Sequence, residues 1–230
     1  MKKWLEKMDW IYVIVPLALL GTFWVIAAFT GQWPWQSNPY NSYALQTDSW
    51  LKGRLDLGQD YPWLELAIYQ GKYFVSFPPF PSYVLIPFVM IFGANTPDHL
   101  IALFVTIAGC VYAIKLYREV SFEKEHALFW VLMLYFASGY LFVGMNGYVW
   151  FIAQSMSFTL SLMALYYALR QKGGLSLAFW ACAVGCRPML ALYGILLGYL
   201  LVKGYKKENP EGTVWQLVKD KWDWAVWWGV

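Results

Sequence analysis

The sequence predicts an all-α polytopic membrane protein with about six transmembrane or partly penetrating helices and a large first outer loop holding interfacial juxtamembrane helices. Three observations carry this prediction. The chain's 230 residues are 60% hydrophobic and only 13% charged, whereas a soluble domain has about 45–50% and about 25%. Its apolar residues are gathered into long runs bounded by basic segments, the pattern of spans and loops. Its 15 Trp, 17 Tyr and 15 Phe suit a membrane interface, and such rings also stack on sugars.

The net charge of +3 is small and scattered, so no nucleic-acid partner is expected. Cys110, Cys182 and Cys186 lie in apolar runs and read as packing residues. His99 and His126 have no ligand-like neighbours in the sequence, so no cofactor is expected and nothing supports a divalent metal.

Residues 1–10 carry Lys2, Lys3 and Lys7 and read as a cytoplasmic N-terminus by the positive-inside rule. Residues 11–29 are long enough to span a bilayer and are not closed by a small-x-small cleavage site, so they form transmembrane helix 1. Residues 30–98 then lie outside as one loop. Within it Asn38-Pro39 signals a helix start and Gly53 a stop, giving an interfacial helix over 39–52. Tyr40, Tyr43, Ala44, Thr47, Trp50 and Leu51 fall on its apolar side, and Asn41, Ser42, Gln46, Ser49 and Lys52 on its polar side. Asp48 stands at the border of the two faces, near Asn41 at i, i+7. A turn-rich stretch with Asp56 and Asp60 follows, then a strand-like piece turning at Gln70-Gly71. The Pro-rich FPPFP leads into a second interfacial or re-entrant helix over 82–92, too short to span.

Residues 99–203 hold membrane helices 2–6. Thr96-Pro97 supplies a helix start for a span over 99–117. A third helix covers 127–144, turns at Asn146-Gly147, and a fourth returns over 149–169. Residues 175–202 are apolar, have basic residues at both flanks and break at Arg187-Pro188. Two helices of about 18 Å each, tilted or penetrating part way, fit better than one span. Residues 204–230 read as a cytoplasmic segment followed by the start of a further membrane helix at WAVWWGV. In this topology 13 of the 17 Lys and Arg are cytoplasmic, which places the chain in the cytoplasmic (inner) membrane with its N-terminus inside.

The topology also sorts the acids. Asp48, Asp56, Asp60, Glu65 and Asp98 are the outer carboxylates, four of them within 38–81, and no acid lies inside a span. A proton-coupled transporter would carry such acids, so transport is the weaker reading. Arg187 is an arginine within an apolar segment, costly unless it reaches an interface, an acid or a phosphate, and guanidinium geometry suits a lipid phosphate.

The juxtamembrane stretch YALQTDSWLKGRLDL, the aromatic and Pro-rich block GKYFVSFPPFPSYVLIPFVMIFG and the broken hairpin ACAVGCRPMLALYG follow an inside N-terminus in that order. In this the chain resembles the N-terminal half of GT-C superfamily glycosyltransferases, in the branch of the protein O-mannosyltransferases and aminoarabinose transferases. The resemblance implies a polyprenyl-phosphate sugar donor, membrane lipid as a partner, an acceptor on the outer face and an acidic base in the first outer loop. It would make Asp48 the base, with Asp56 and Asp60 as alternates, and Arg187 a phosphate partner. Lys72, Tyr73 and Asn41 would be further substrate-binding residues. The family's usual place for the acid, at the start of the juxtamembrane helix, is held here by Asn38-Pro39-Tyr40. Relatives also have more helices, so a missing C-terminal half or partner subunit is expected. A non-catalytic or truncated relative is the alternative, ahead of a lipid-binding protein or a transporter.

Overall fold

A computed structural model of the chain describes residues 9–220; Lys2, Lys3 and Lys7, expected on the cytoplasmic side, and the further helix expected at WAVWWGV lie outside the described residues. Helix α1 (Ile11–Thr30) buries Val15, Leu19, Phe23 and Ala27, a four-residue repeat that makes one face, and leaves the rest of its apolar surface exposed. Gly31, at φ 72°, ends it by returning its N–H to the Ala27 carbonyl.

Within the following loop, α2 (Ser42–Leu51) begins three residues later than expected. Asn38 does not cap it; the Asn38 side chain instead folds back to accept the Tyr40 N–H at 2.8 Å, forming a turn around Pro39. Strands β1 (Leu66–Tyr69) and β2 (Lys72–Val75) pair antiparallel, with Tyr69 opposite Lys72, so the fold is not purely helical. Gln70 (φ 48°) and Gly71 (φ 71°) make the tight turn between them. Helix α3 (Phe80–Phe92) lies against α2. The Ser82 hydroxyl donates to the Gln46 side-chain oxygen at 2.7 Å, and the Thr47 hydroxyl reaches the Ser82 carbonyl at 2.9 Å.

This packing overturns the single-face picture of the juxtamembrane helix. Ser42, Gln46 and Ser49, expected on its polar side, are buried, whereas Leu51 is exposed. The helix is packed between α3 and the bundle, where Ser82 of α3 partners Gln46 and Thr47 while the buried Ser42 hydroxyl has no partner among the described residues.

Helix α4 (Asp98–Val120) starts at the loop end of the bundle. Pro97 is its cap residue, and Thr96 turns back to the Gly93 carbonyl instead of capping it. The helix expected over 127–144 is two pieces, α5 (Ala127–Phe136) and α6 (Tyr140–Met145). At the break, the Ser138 hydroxyl donates to the Leu134 carbonyl at 2.5 Å and accepts the Tyr140 N–H at 3.1 Å, so a serine side chain replaces the helical ladder. Helix α7 (Val149–Leu169) spans the predicted range, and α8 (Gly173–Cys186) packs along it. A 3₁₀ turn (Pro188–Leu192) leads directly into α9 (Tyr193–Glu208), and α10 (Val214–Asp220) follows.

By length and composition, four helical stretches can cross a membrane: α1, α4, α7 and the continuous Pro188–Glu208 stretch. Helices α3, α5 and α8 are apolar but shorter. The chain is therefore mostly helical, with four candidate membrane spans among the described residues. The tip of the α8–α9 hairpin, at Arg187, reaches Trp150, the second residue of α7.

Candidate functional site

The site is built where that tip meets the loop. Pro188 has no N–H with which to continue α8, and the residue before a proline is pushed to extended geometry. Arg187 accordingly sits at φ −143° and ψ 102°, which turns its side chain away from the α8 axis. Gly185 lets the end of α8 close on the FPPFP block, since a Cβ there would stand 2.9 Å from the Phe80 Cβ. Cys186 is buried in a core with Tyr43 and Ala44 of α2, Leu85 and Val89 of α3, and Val149 and Ile152 of α7. A main-chain bond from the Val149 N–H to the Tyr40 carbonyl, 3.0 Å long, holds the starts of α2 and α7 together.

Arg187 donates through Nη2 to the Trp150 carbonyl at 2.5 Å. Its Nε is buried with no hydrogen-bond partner among the described residues, and so is the Tyr43 hydroxyl. The ion pairs formed among the described residues leave Arg187 without a carboxylate. Burial raises the Tyr43 phenol well above its usual range, and the nearby Arg187 charge pulls it the other way, so at neutral pH the phenol keeps its proton and is a donor. The arrangement is a guanidinium and a phenol with unused donors.

Beside Arg187, two adjoining cavities of about 390 and 280 Å³ run between α7 and residues 187–193 and share Gln154, Ser157 and Leu190. At the Arg187 end the lining is mixed, with Gln154 and Ser157 facing Pro188, Met189 and Leu190; further along it adds Phe158, Ser161, Leu162 and Tyr193. This is a groove with a cationic, partly polar head and a largely apolar continuation, the profile of an anionic amphiphile.

The residues expected from the loop lie apart in their bonding. Asp48 is paired with Lys52 at 2.5 Å, one turn along α2. Asn41, placed near it by helical spacing, instead sends its amide to the Ala94 carbonyl at 2.8 Å and ties α2 to the end of α3. Asp56 accepts the Gly58 N–H at 3.0 Å in a turn, and Asp60 is exposed. Lys72 and Tyr73 lie on β2, where the Tyr73 carbonyl takes the Leu57 N–H and Lys72 is exposed. None of these has a hydrogen bond or ion pair to Arg187. Among the described residues no group of three His, Cys, Asp or Glu could hold a metal ion.

Two acids counted among the outer carboxylates but given no site role by the sequence, Glu65 and Asp98, are tied into the fold around it. The Trp150 indole N–H donates to Glu65 at 3.3 Å, so Glu65 joins the residue whose carbonyl holds Arg187. Asp98, only 2% exposed, accepts the Asn38 amide at 2.9 Å; that amide also reaches the Gly147 carbonyl at 3.3 Å. The Gly147 N–H donates to His99 Nδ1 at 3.1 Å. A Cβ at Gly147 would lie 2.4 Å from the Asp98 carbonyl carbon, so only glycine permits this approach. The signals were present as Asn38-Pro39 and Asn146-Gly147, yet each also has an ordinary local reading as a cap or a turn.

Compared with known proteins, the chain matches no protein-family model, no characterised protein and no solved structure.

Proposed function

We propose that the chain is a membrane glycosyltransferase that moves a sugar from a polyprenyl-phosphate donor to an acceptor on the face carrying residues 31–97. The supporting observation is Arg187: a guanidinium at a helix break, without a carboxylate, at the partly polar head of a groove that continues into apolar surface. Arginine suits phosphate because its planar fork can hold two oxygens at once.

In the proposed reaction an acceptor hydroxyl attacks the anomeric carbon. The bond from that carbon to the phosphate oxygen breaks, and its electron pair leaves with the polyprenyl phosphate. The hydroxyl proton passes to a loop carboxylate, for which Asp48 is the first choice and Asp56 and Asp60 the alternates. Arg187 stabilises the charge on the departing phosphate, and the further substrate-binding roles of Lys72, Tyr73 and Asn41 rest on the family resemblance. The charge pattern of the sequence makes this face the outer one and the N-terminus cytoplasmic.

A second reading, binding of the lipid phosphate without turnover by a non-catalytic subunit, is favoured by the Asp48–Lys52 pair, which engages the first-choice base. Purified protein incubated with a small panel of polyprenyl-phosphate sugars decides between the two. Release or transfer of sugar that Arg187→Ala abolishes supports the enzyme, and retention of the lipid with no sugar released supports the binder. If no donor is retained or consumed, both fail.

A further inference from the structure

Tyr43 does not line the groove but shares a core cluster with Cys186, the neighbour of Arg187. It was read from the sequence as one apolar position on an interfacial helix, and its ring does pack in the core, 6.4 Å from that of Phe77. Yet the residue is only 2% exposed, and its hydroxyl has no partner among the described residues. A buried hydroxyl without a partner costs free energy that phenylalanine would avoid while filling the same space. Nothing in the packing of α2 calls for that oxygen, because α2 is bonded to α3 through Thr47, Gln46 and the Tyr43 main chain.

What stands near it is the second unused donor. Tyr43 and Cys186 share one core cluster, and the next residue, Arg187, keeps Nε buried and unpartnered. Two donors with no protein acceptor, on elements held together by a common core, call for one acceptor from outside the chain. A carbonyl or amide ligand would leave the guanidinium charge unbalanced, whereas a tetrahedral oxyanion balances it.

We infer that the Tyr43 hydroxyl and Arg187 together grip one phosphate group, Tyr43 donating to a phosphate oxygen alongside the guanidinium. The inference rests on the proposed reading of Arg187 and adds to it a recognition residue on the loop helix, so that α2 reports directly on whether phosphate is bound. The phosphate can belong to a lipid headgroup or be free in solution. The groove favours the lipid, since only a lipid also fills the apolar end beyond Gln154 and Ser157.

The test is Tyr43→Phe against wild type and Arg187→Ala, with thermal melting and binding measured on the full chain in detergent. One arm uses polyprenyl phosphate and the other inorganic phosphate. Without ligand, Tyr43→Phe should melt at or above the wild-type temperature, because it removes an unpartnered polar group. Its affinity for polyprenyl phosphate should fall about tenfold, as expected for one hydrogen bond to a charged group, and the melting shift on adding lipid should shrink with it. Stronger retention of polyprenyl phosphate than of inorganic phosphate identifies the lipid as the source, and the reverse identifies a free anion. Unchanged affinity in Tyr43→Phe, with Arg187→Ala defective, overturns the inference and leaves the Arg187 reading standing. Failure of the wild type to bind either probe overturns both. A lower ligand-free melting temperature in Tyr43→Phe also overturns it, since the hydroxyl would then have a structural partner.

Discussion

The Asn38 amide donates to the Asp98 carboxylate across 2.9 Å, joining residues 60 apart in sequence at the point where the loop enters the bundle. The same amide holds the Gly147 carbonyl, so one side chain connects the start of α4, the turn before α7 and the approach to α2. The Arg187 site is assembled on α2 and α7, and this junction sets how they meet.

Replacing Asn38 with Leu leaves a buried Asp98 oxygen without its amide donor, which should cost about 1–3 kcal/mol. Asp98→Asn keeps an oxygen to accept the Asn38 amide and should cost about 1 kcal/mol or less. Melting of the two variants in detergent gives their order; equal losses would mean that the carboxylate charge plays no part in the junction.

Gly147→Ala brings a methyl group against the Asp98 and His99 main chain, which cannot move aside as a flexible side chain would. The expected loss is about 2–3 kcal/mol, with a lower melting temperature and a weaker response to polyprenyl phosphate. A wild-type melting curve would show that the turn relaxes freely.

Asp48→Asn breaks an i, i+4 pair with a largely exposed Lys52, so stability should change by less than about 0.5 kcal/mol. If Asp48 is the base, sugar transfer is abolished while lipid binding persists. Retained transfer moves the role to Asp56 or Asp60, each to be tested by the same Asp→Asn change.

Arg187→Lys keeps the positive charge but loses the planar fork and the bond to the Trp150 carbonyl. Affinity for polyprenyl phosphate should fall at least about tenfold relative to wild type, by equilibrium binding in detergent. Full binding by the lysine variant would reduce the site to a simple point charge.

How much of this could be read from the sequence depended on whether a signal was local. The α7 range and the Gln70-Gly71 turn follow from apolar run length and turn chemistry, both set by near neighbours. The break between α5 and α6 was hidden, because Ala137-Ser138-Gly139 lies within an apolar run and Ser138 supplies the bonds that replace the ladder. The wheel for α2 misplaced Ser42, Gln46 and Ser49 because it assumed one buried face, and α3 covers a second. For the site, Arg187 stood out as a lone charge in an apolar run. Tyr43 and Glu65 could not, because their surroundings come from across the fold, Cys186 beside Tyr43 and Trp150 bonded to Glu65, and no spacing rule connects them.

The corner at Arg187 is fixed by an indole. Trp180 donates its ring N–H to the Leu190 carbonyl at 2.8 Å and lies over Gly194, where a Cβ would come within 2.4 Å of the ring. The turn is therefore braced, and the bond from Arg187 to Trp150 closes the top of the groove. Met189, Leu192 and Ile195 beside it remain exposed, as membrane-facing side chains do. A lipid phosphate bound as proposed would therefore meet a corner whose shape is set before it arrives, with the exposed Met189, Leu192 and Ile195 beside it to receive an apolar tail.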